Sequence, residues 1–568
     1  MNLINDFDME RISQAIEDIG SLCIADIFSP GKLWYAPVKM DWKTAPEFDP
    51  FGPMDRWGGY DEYGWFRCIF TIPAEADGKE LWVEISQDKR EWYAQNPQFL
   101  LYCNEKPVQG LDLYHESCLL RKKAVSGETL QLDFDAWAGM VTRGRTWSDK
   151  ENRPGLFAIR FFTLEEDIQS FYYDIKTVYE TAKYTDKESE KGLRLRKILN
   201  ETIGQLDFRE KNRFKQTLPE AKKILEQIWE TERTENIQAF CVGHTHIDIA
   251  WMWRFQHTKM KVQRSFSTAL KLLDEYPEYK FMSSQPQLYE YMEENQPEQF
   301  KKIQKYVQEN RWEPEGGMWV EADCNLTSGE SLIRQFLIGK KYFLEKFGKD
   351  SKVLWLPDVF GYSASLPQIC KKCGIDYFMT TKISWNEKDK IPFDTFMWKG
   401  VDGTGLLTHF APAKQYDKTD YNPFGFARSP YITTYNGILE PDYVMGGWKR
   451  YSQKTLEPSF LIPYGYGDGG GGTTRDMIEK GKRMEKGIPG CPQVKFSDSL
   501  SFFQYLDQKV KGKKELPEWN GELYLEFHRG TYTSVGEIKR LNRKAESKLQ
   551  ETEFLLCMAQ CEVGGQAV

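Results

Sequence analysis

The stretch CVGHTHIDIAWMW, residues 241–253, decides how the chain is read. Two of only six histidines in 568 residues stand one residue apart within it, and a carboxylate follows two positions later. The lead-in, residues 237–242, is short, apolar and β-prone, and Gly243 interrupts it. His244, His246 and Asp248 are therefore expected just past the end of a buried strand, where α/β sheets build their sites. Residues i and i+2 of an extended segment can face one side, so His246 and Asp248 suit a shared metal ion. His244 is expected to support them or to be structural.

Outward from this stretch, the chain is long enough for several domains, each with its own core. An aromatic share of 14% with 18 Trp is high and favours a large carbohydrate-handling enzyme, although most aromatics serve cores. A net charge of -8 offers no basic excess to neutralise phosphates, which argues against nucleic acid as the main partner. The eleven cysteines show no close-spaced framework, and Cys370 and Cys373 form a lone CxxC without a second pair, so a structural zinc site is not expected there. Free thiols fit a reducing cytoplasm. The acidic start lacks a basic region followed by an apolar run, and no stretch nears the ~18 apolar residues of a membrane span. These features lead to the expectation of a soluble cytoplasmic protein with no membrane partner. A homo-oligomer is compatible with all of them.

The expected architecture is multidomain α/β. Residues 1–170 read as an N-terminal, sandwich-like β domain with helices, its strands (WFRCIFTI, LWVEIS, FLLYC) separated by turn clusters. Residues 171–235 read as a helical connector. From 236 to 512, strand and helix alternate in units that favour a parallel (β/α) barrel of about seven strands, interrupted by a hairpin near 395–412. Residues 513–568 read as the start of a helical domain left incomplete.

Several carboxylates fall at expected strand ends: Asp358 after KVLWLP, Asp468 after SFLIPY, and Glu321 with Asp323 after RWEPEGG; His528 follows the β-like ELYLEF. Zinc takes about four N or O donors, and Asp358 and His528 are the candidates to complete the set begun by His246 and Asp248. Asp358 beside a cation would stay ionised, as a nucleophile requires. Asp468, in a glycine-flanked turn, could stay protonated as a general acid. His115 is expected to be structural or on the surface.

Taken together, GHTHIDIAWMW, EGGMWVEADCNLTSGESLIRQ, WLPDVFGYSASLPQI, YGYGDGGGGTT and GELYLEFHRGTYTS resemble the α-mannosidases of glycoside hydrolase family 38, in particular their cytosolic and bacterial branch. The resemblance runs in order from about 236 to 550. It implies that His246, Asp248, Asp358 and His528 bind one zinc ion per chain, with cobalt able to satisfy the same ligands. It also implies that Asp358 is the nucleophile, Asp468 the acid/base and Trp251 a platform beneath the sugar. The substrate would be a terminal α-mannoside in an oligosaccharide or small conjugate, hydrolysed with retention. Members of the family continue into large β domains, so the chain is expected to be truncated relative to them. Two other readings stand beside this one: a metal-dependent amidohydrolase or deacetylase, whose further histidines could only be His257, His409 and His528, and a truncated, inactive carbohydrate-binding relative.

Overall fold

The computed structural model describes residues 6–38, 47–87, 96–140, 155–230, 236–416 and 431–562. The end of the expected helical domain beyond 562 and the end of the connector, 231–235, lie outside these residues.

Among the described residues, ten antiparallel strands form the N-terminal β region. One sheet has the order β3 (Asp49–Phe51), β2 (Leu33–Val38), β4 (Tyr63–Thr71), β9 (Thr129–Trp137), β6 (Gln98–Cys103), β7 (Lys106–Leu111). The other has the order β1 (Ile24–Phe28), β10 (Phe157–Leu164), β5 (Leu81–Gln87), β8 (Ser117–Arg121). Strand β4 shows the pleat at work: Gly64, Phe66, Cys68 and Phe70 are buried while their neighbours are more exposed. The rings of Phe70 and Phe161 stack at 3.7 Å between the sheets, so the two inner faces make one core.

The helix Asp6–Leu22 does not pack into this sandwich. It joins Glu166–Tyr184, Glu190–Gln205 and Lys211–Glu226 in a helical layer. Ile12, Phe171, Leu199 and Leu225 of that layer share a core with Ala239, Cys241 and Ile462 of the parallel strands.

The C-terminal half holds β11 (Gln238–His244), β12 (Phe281–Ser283), β13 (Trp312–Pro314), β14 (Val353–Trp355), β15 (Tyr377–Thr380), β16 (Thr395–Lys399), β17 (Gly405–Phe410), β18 (Ser459–Tyr464), β19 (Gln493–Phe496) and β20 (Glu518–Asn520). Strands β18, β11, β12 and β13 run parallel in one sheet, with β19 paired to the first half of β11. Strands β14, β15 and β17 run parallel in a second, which β16 and β20 extend. Among the described residues, one isolated bridge, Gly316 to Leu354, links the two.

The expected barrel is therefore met only in part. Among the described residues no backbone ladder joins β17 to β18. His409 spans that seam instead, accepting the Leu461 N–H at Nε2 (3.3 Å) and meeting Thr395 Oγ1 at Nδ1 (2.9 Å). Phe240, Val242, Met282, Trp355, Met379, Leu407 and Leu461, drawn from both sheets, still meet in one interior core.

Three local features bear on the expected elements. The helical run after β12 is two helices, Pro286–Asn295 and Pro297–Gln308, because Pro297 cannot donate to the preceding turn. The run ELYLEF is not a strand; Leu523 makes an isolated bridge to Tyr362, and its apolar residues are drawn in by burial at 523 and 525. Strand β20, pairing with β16, carries the sheet past residue 512.

Candidate active site

Strand β11 delivers its load as expected. His244 is its last residue, and His246 and Asp248 follow in the loop. Gly243 is needed there, since a Cβ would lie 2.7 Å from the Lys280 carbonyl and 2.8 Å from the Tyr279 ring. His244 is buried and donates from Nε2 to the Tyr435 carbonyl (2.8 Å), so it supports a neighbouring loop, and burial holds its pKa down at about 4.

His246, Asp248 and Asp358 each offer a ligand atom, and these atoms all lie within 4.8 Å of one another. His246 Nε2 is 3.4 Å from Asp248 Oδ1 and 3.7 Å from Asp358 Oδ2. Ligand atoms about 2.1 Å from a tetrahedral ion stand roughly 3.4 Å apart, so the spacing suits zinc. Neither buried ring nitrogen of His246 has an aligned hydrogen-bond partner. Nδ1 lies 2.9 Å from Glu321 Oε2, off hydrogen-bond alignment but placed as carboxylates are behind metal-binding histidines. Glu321 is itself held, accepting from Ser284 Oγ at 2.7 Å and anchored through its N–H to Gln285 Oε1 at 3.1 Å. Burial pushes the His246 pKa down, but the carboxylates of Glu321 and Asp248 outweigh it and raise it well above the ordinary value.

Asp358 is the hinge of the site. Burial pushes its carboxyl up, but the Lys382 ammonium on Oδ1, His246 and a hydrogen bond from Tyr435 hold it below the usual range. Tyr435 Oη is 2.8 Å from Asp358 Oδ2 and 2.6 Å from Asp468 Oδ1. One phenol proton cannot serve both contacts. Both are satisfied when Asp468 carries a proton and gives it to the Tyr435 oxygen while Tyr435 donates to Asp358. The electrostatics agree: burial first, then the Asp358 and Asp248 charges, raise the Asp468 pKa. Asn436 Nδ2 donates to the other Asp468 oxygen at 2.7 Å.

The structure does not bring His528 into the cluster. It opens a short 3-10 turn, Arg529–Tyr532, with a φ of 59°, and rests on the Phe360 ring at 4.5 Å. Trp251 is 48% exposed, edge-on to Trp253 at 5.6 Å, and so is not a core tryptophan. Tyr435, Lys382 and Asn436 were not singled out by the sequence, because an isolated Tyr, Lys or Asn in a loop carries no local signal. A cavity of about 600 Å³ opens over His246, Asp248, Asp358 and Phe360, with Lys539 and Arg543 of the helix Gly536–Glu562 on its far wall.

Residues 236–522 match the model of the glycosyl hydrolases family 38 N-terminal domain. The chain belongs to that family. Among its relatives, it is 34% identical over 542 residues to alpha-mannosidase G of Dictyostelium discoideum, covering 93% of this chain and 46% of that protein. It is 32% identical over 548 residues to human alpha-mannosidase 2C1 (94% and 49%), and 40% identical over 342 residues to the alpha-mannosidase of Saccharomyces cerevisiae (59% and 30%). The chain thus spans about half the length of the first two of these curated relatives. No helix among the described residues of this family 38 chain is long and apolar enough to cross a membrane.

Proposed function

We propose that the chain carries the catalytic centre of a zinc-dependent, retaining α-mannosidase that acts on terminal α-mannosides in the cytoplasm. The observation that carries this reading is the double engagement of Asp358: it belongs to the metal-capable cluster and shares the Tyr435 hydroxyl with Asp468. Two contacts through one oxygen keep the facing oxygens of the two carboxyl groups no more than about 5.4 Å apart, which favours the close spacing of a retaining pair over the wider gap of an inverting one.

His246, Asp248 and Asp358 would hold the ion. When bound, it would act as a Lewis acid that holds sugar hydroxyls and stabilises developing charge. Asp358, kept ionised by Lys382 and Tyr435, attacks the anomeric carbon. Asp468 gives its proton to the leaving oxygen, then takes one from water as the glycosyl bond to Asp358 is hydrolysed with net retention. Trp251 presents an apolar face to sugar C–H groups. His528 would have to move to join the ion.

The amidohydrolase reading gains no support, because its extra histidines are engaged elsewhere. His257 meets Asp61 and Tyr63 in the interface with the β domain, and His409, though near the end of β17, spans the sheet seam. Incubation with 4-nitrophenyl α-mannoside tests the proposal: phenolate release that a chelator abolishes and zinc or cobalt restores is expected. Release indifferent to the chelator, or zinc and mannose bound without turnover, would overturn it.

A further inference from the structure

The loop that carries Asp468 has an unusual backbone. Every residue from Asp468 to Gly472 has a positive φ, between 50° and 123°, a region glycine enters freely and other residues rarely. Such a segment has many conformations to lose on ordering. A reciprocal bridge between Tyr466 and Gly472 (2.8 and 2.9 Å) ties the two ends of the loop together. What the loop is fastened to outside itself adds to its shape.

None of the fasteners lines the cavity over His246, Asp248 and Asp358, and the N-terminal β domain supplies two of them. His115, in the turn between β7 and β8, is buried, with Nδ1 3.0 Å from Asp112 Oδ1 and Nε2 2.9 Å from the Thr473 carbonyl. Both partners are acceptors, so the ring donates from both nitrogens. Tyr114 stacks on Tyr466 at 3.7 Å with planes 8° apart. The third fastener is Lys261, fully buried on the helix Phe255–Glu275, its Nζ 4.2 Å from the Trp253 ring centre and 5.2 Å from that of Trp137 of β9. It donates to Gln98 Oε1 of β6 at 3.1 Å and to the carbonyl of Gly469, the residue after Asp468, at 3.3 Å. One turn further along, Ser265 Oγ accepts from Gly471 N–H at 3.0 Å. Burial, with the Arg264 charge, pushes the Lys261 pKa well below its ordinary value, and an amine buried this completely is costly to leave without its two acceptors.

We propose that His115 and Lys261 are positioning residues for the acid/base: through Thr473 and Gly469 they fix the Asp468 loop, making the N-terminal β domain part of the catalytic apparatus. The proposal rests on Asp468 being the acid/base. Misplacing a proton donor slows only reactions whose leaving group needs the proton. The signature is therefore a leaving-group dependence, which a general loss of structure does not produce.

The test measures kcat/KM, which reports formation of the glycosyl enzyme, for Lys261→Met, His115→Phe and the milder Ser265→Ala in the full-length holoenzyme. The substrates are 2,4-dinitrophenyl α-mannoside, whose leaving group departs unprotonated, and methyl α-mannoside, whose leaving group must be protonated. Lys261→Met and His115→Phe are expected to lose on the order of 10²-fold on the methyl glycoside, Ser265→Ala less, and all three little on the dinitrophenyl one. Asp468→Ala is the control: if it slows both substrates alike, the acid/base assignment itself fails. If Asp468→Ala is selective while the three variants are unselective or unchanged, the positioning proposal is overturned. Hydrogen exchange decides without turnover. The 465–473 peptide should exchange faster in Ser265→Ala and Lys261→Met while the peptides around Asp248 and Asp358 stay as in the parent, and unchanged exchange at 465–473 overturns the proposal.

Discussion

Replacing Tyr435 by Phe removes one oxygen from between the two carboxyl groups and leaves a ring that fits the same buried space. Hydrogen bonds to charged groups contribute about 1.5–3 kcal/mol each. The bond strengthens as charge returns to Asp358 when the glycosyl bond breaks, so its loss is felt in the barrier of the second step. At about 1.36 kcal/mol per decade, kcat is expected to fall between roughly ten- and 150-fold. Loss of the second contact, to Asp468, adds to this by freeing the acid from its register with the nucleophile. Zinc content should stay at the parent level, since Tyr435 lies outside His246, Asp248 and Asp358. The assay is 4-nitrophenyl α-mannoside turnover beside metal analysis of the dialysed protein. Activity within twofold of the parent would refute the bridging role, and loss of the metal together with activity would show that the hydroxyl serves the ion instead.

Three further outcomes are expected. Asp248→Ala should abolish zinc binding, measured by mass spectrometry of dialysed protein, whereas His528→Ala should leave it intact; metal loss in the second variant would place His528 among the ligands after all. Burial pushes the Glu313 carboxyl up to about 8 and that of Glu315 to about 7. A carboxyl with a raised folded pKa takes up a proton on folding, so its stabilising contribution is full below the unfolded pKa near 4.3 and is lost as pH rises through the folded value. Tm should accordingly fall from pH 5 to pH 8.5, and Glu313→Gln should flatten that slope; equal slopes would count against it. Gly110→Ala sets a Cβ 2.8 Å from the Arg264 carbonyl and 2.9 Å from its Cβ, where the β domain meets the helix Phe255–Glu275. It should cost about 1–3 kcal/mol by overpacking, read as a lowered Tm, and an unchanged Tm would mean the interface yields.

What the sequence disclosed, and what it hid, follows from the range of the interactions. An apolar run closed by Gly243 announces β11 and its strand-end load locally, and the alternating residues 395–410 announce the antiparallel pair β16 and β17. The position of Asp468 in the glycine run was legible as well, because a lone carboxylate among glycines marks a loop shaped for something other than packing. Tyr435 and Lys382 were not. Their importance arises only when loops 24 and 77 residues from Asp358 fold against it, and nothing in TTYNG or TTKIS records that neighbour. ELYLEF misled in the opposite sense: alternation satisfied by burial of Leu523 and Leu525 reads like a strand, although no ladder partner reaches it beyond the Tyr362 bridge. The seam between β17 and β18 was hidden for a related reason, since a side chain, His409, performs there what a backbone ladder was expected to do.

The close pairing of Asp358 and Asp468 through a single hydroxyl commits the account to one stereochemical course. Proton NMR of the mannose first released from an α-mannoside, recorded before mutarotation, tests it most directly. The α-anomer is predicted to appear first; the β-anomer first would contradict the assignment of Asp358 as nucleophile and the double-displacement mechanism built on it.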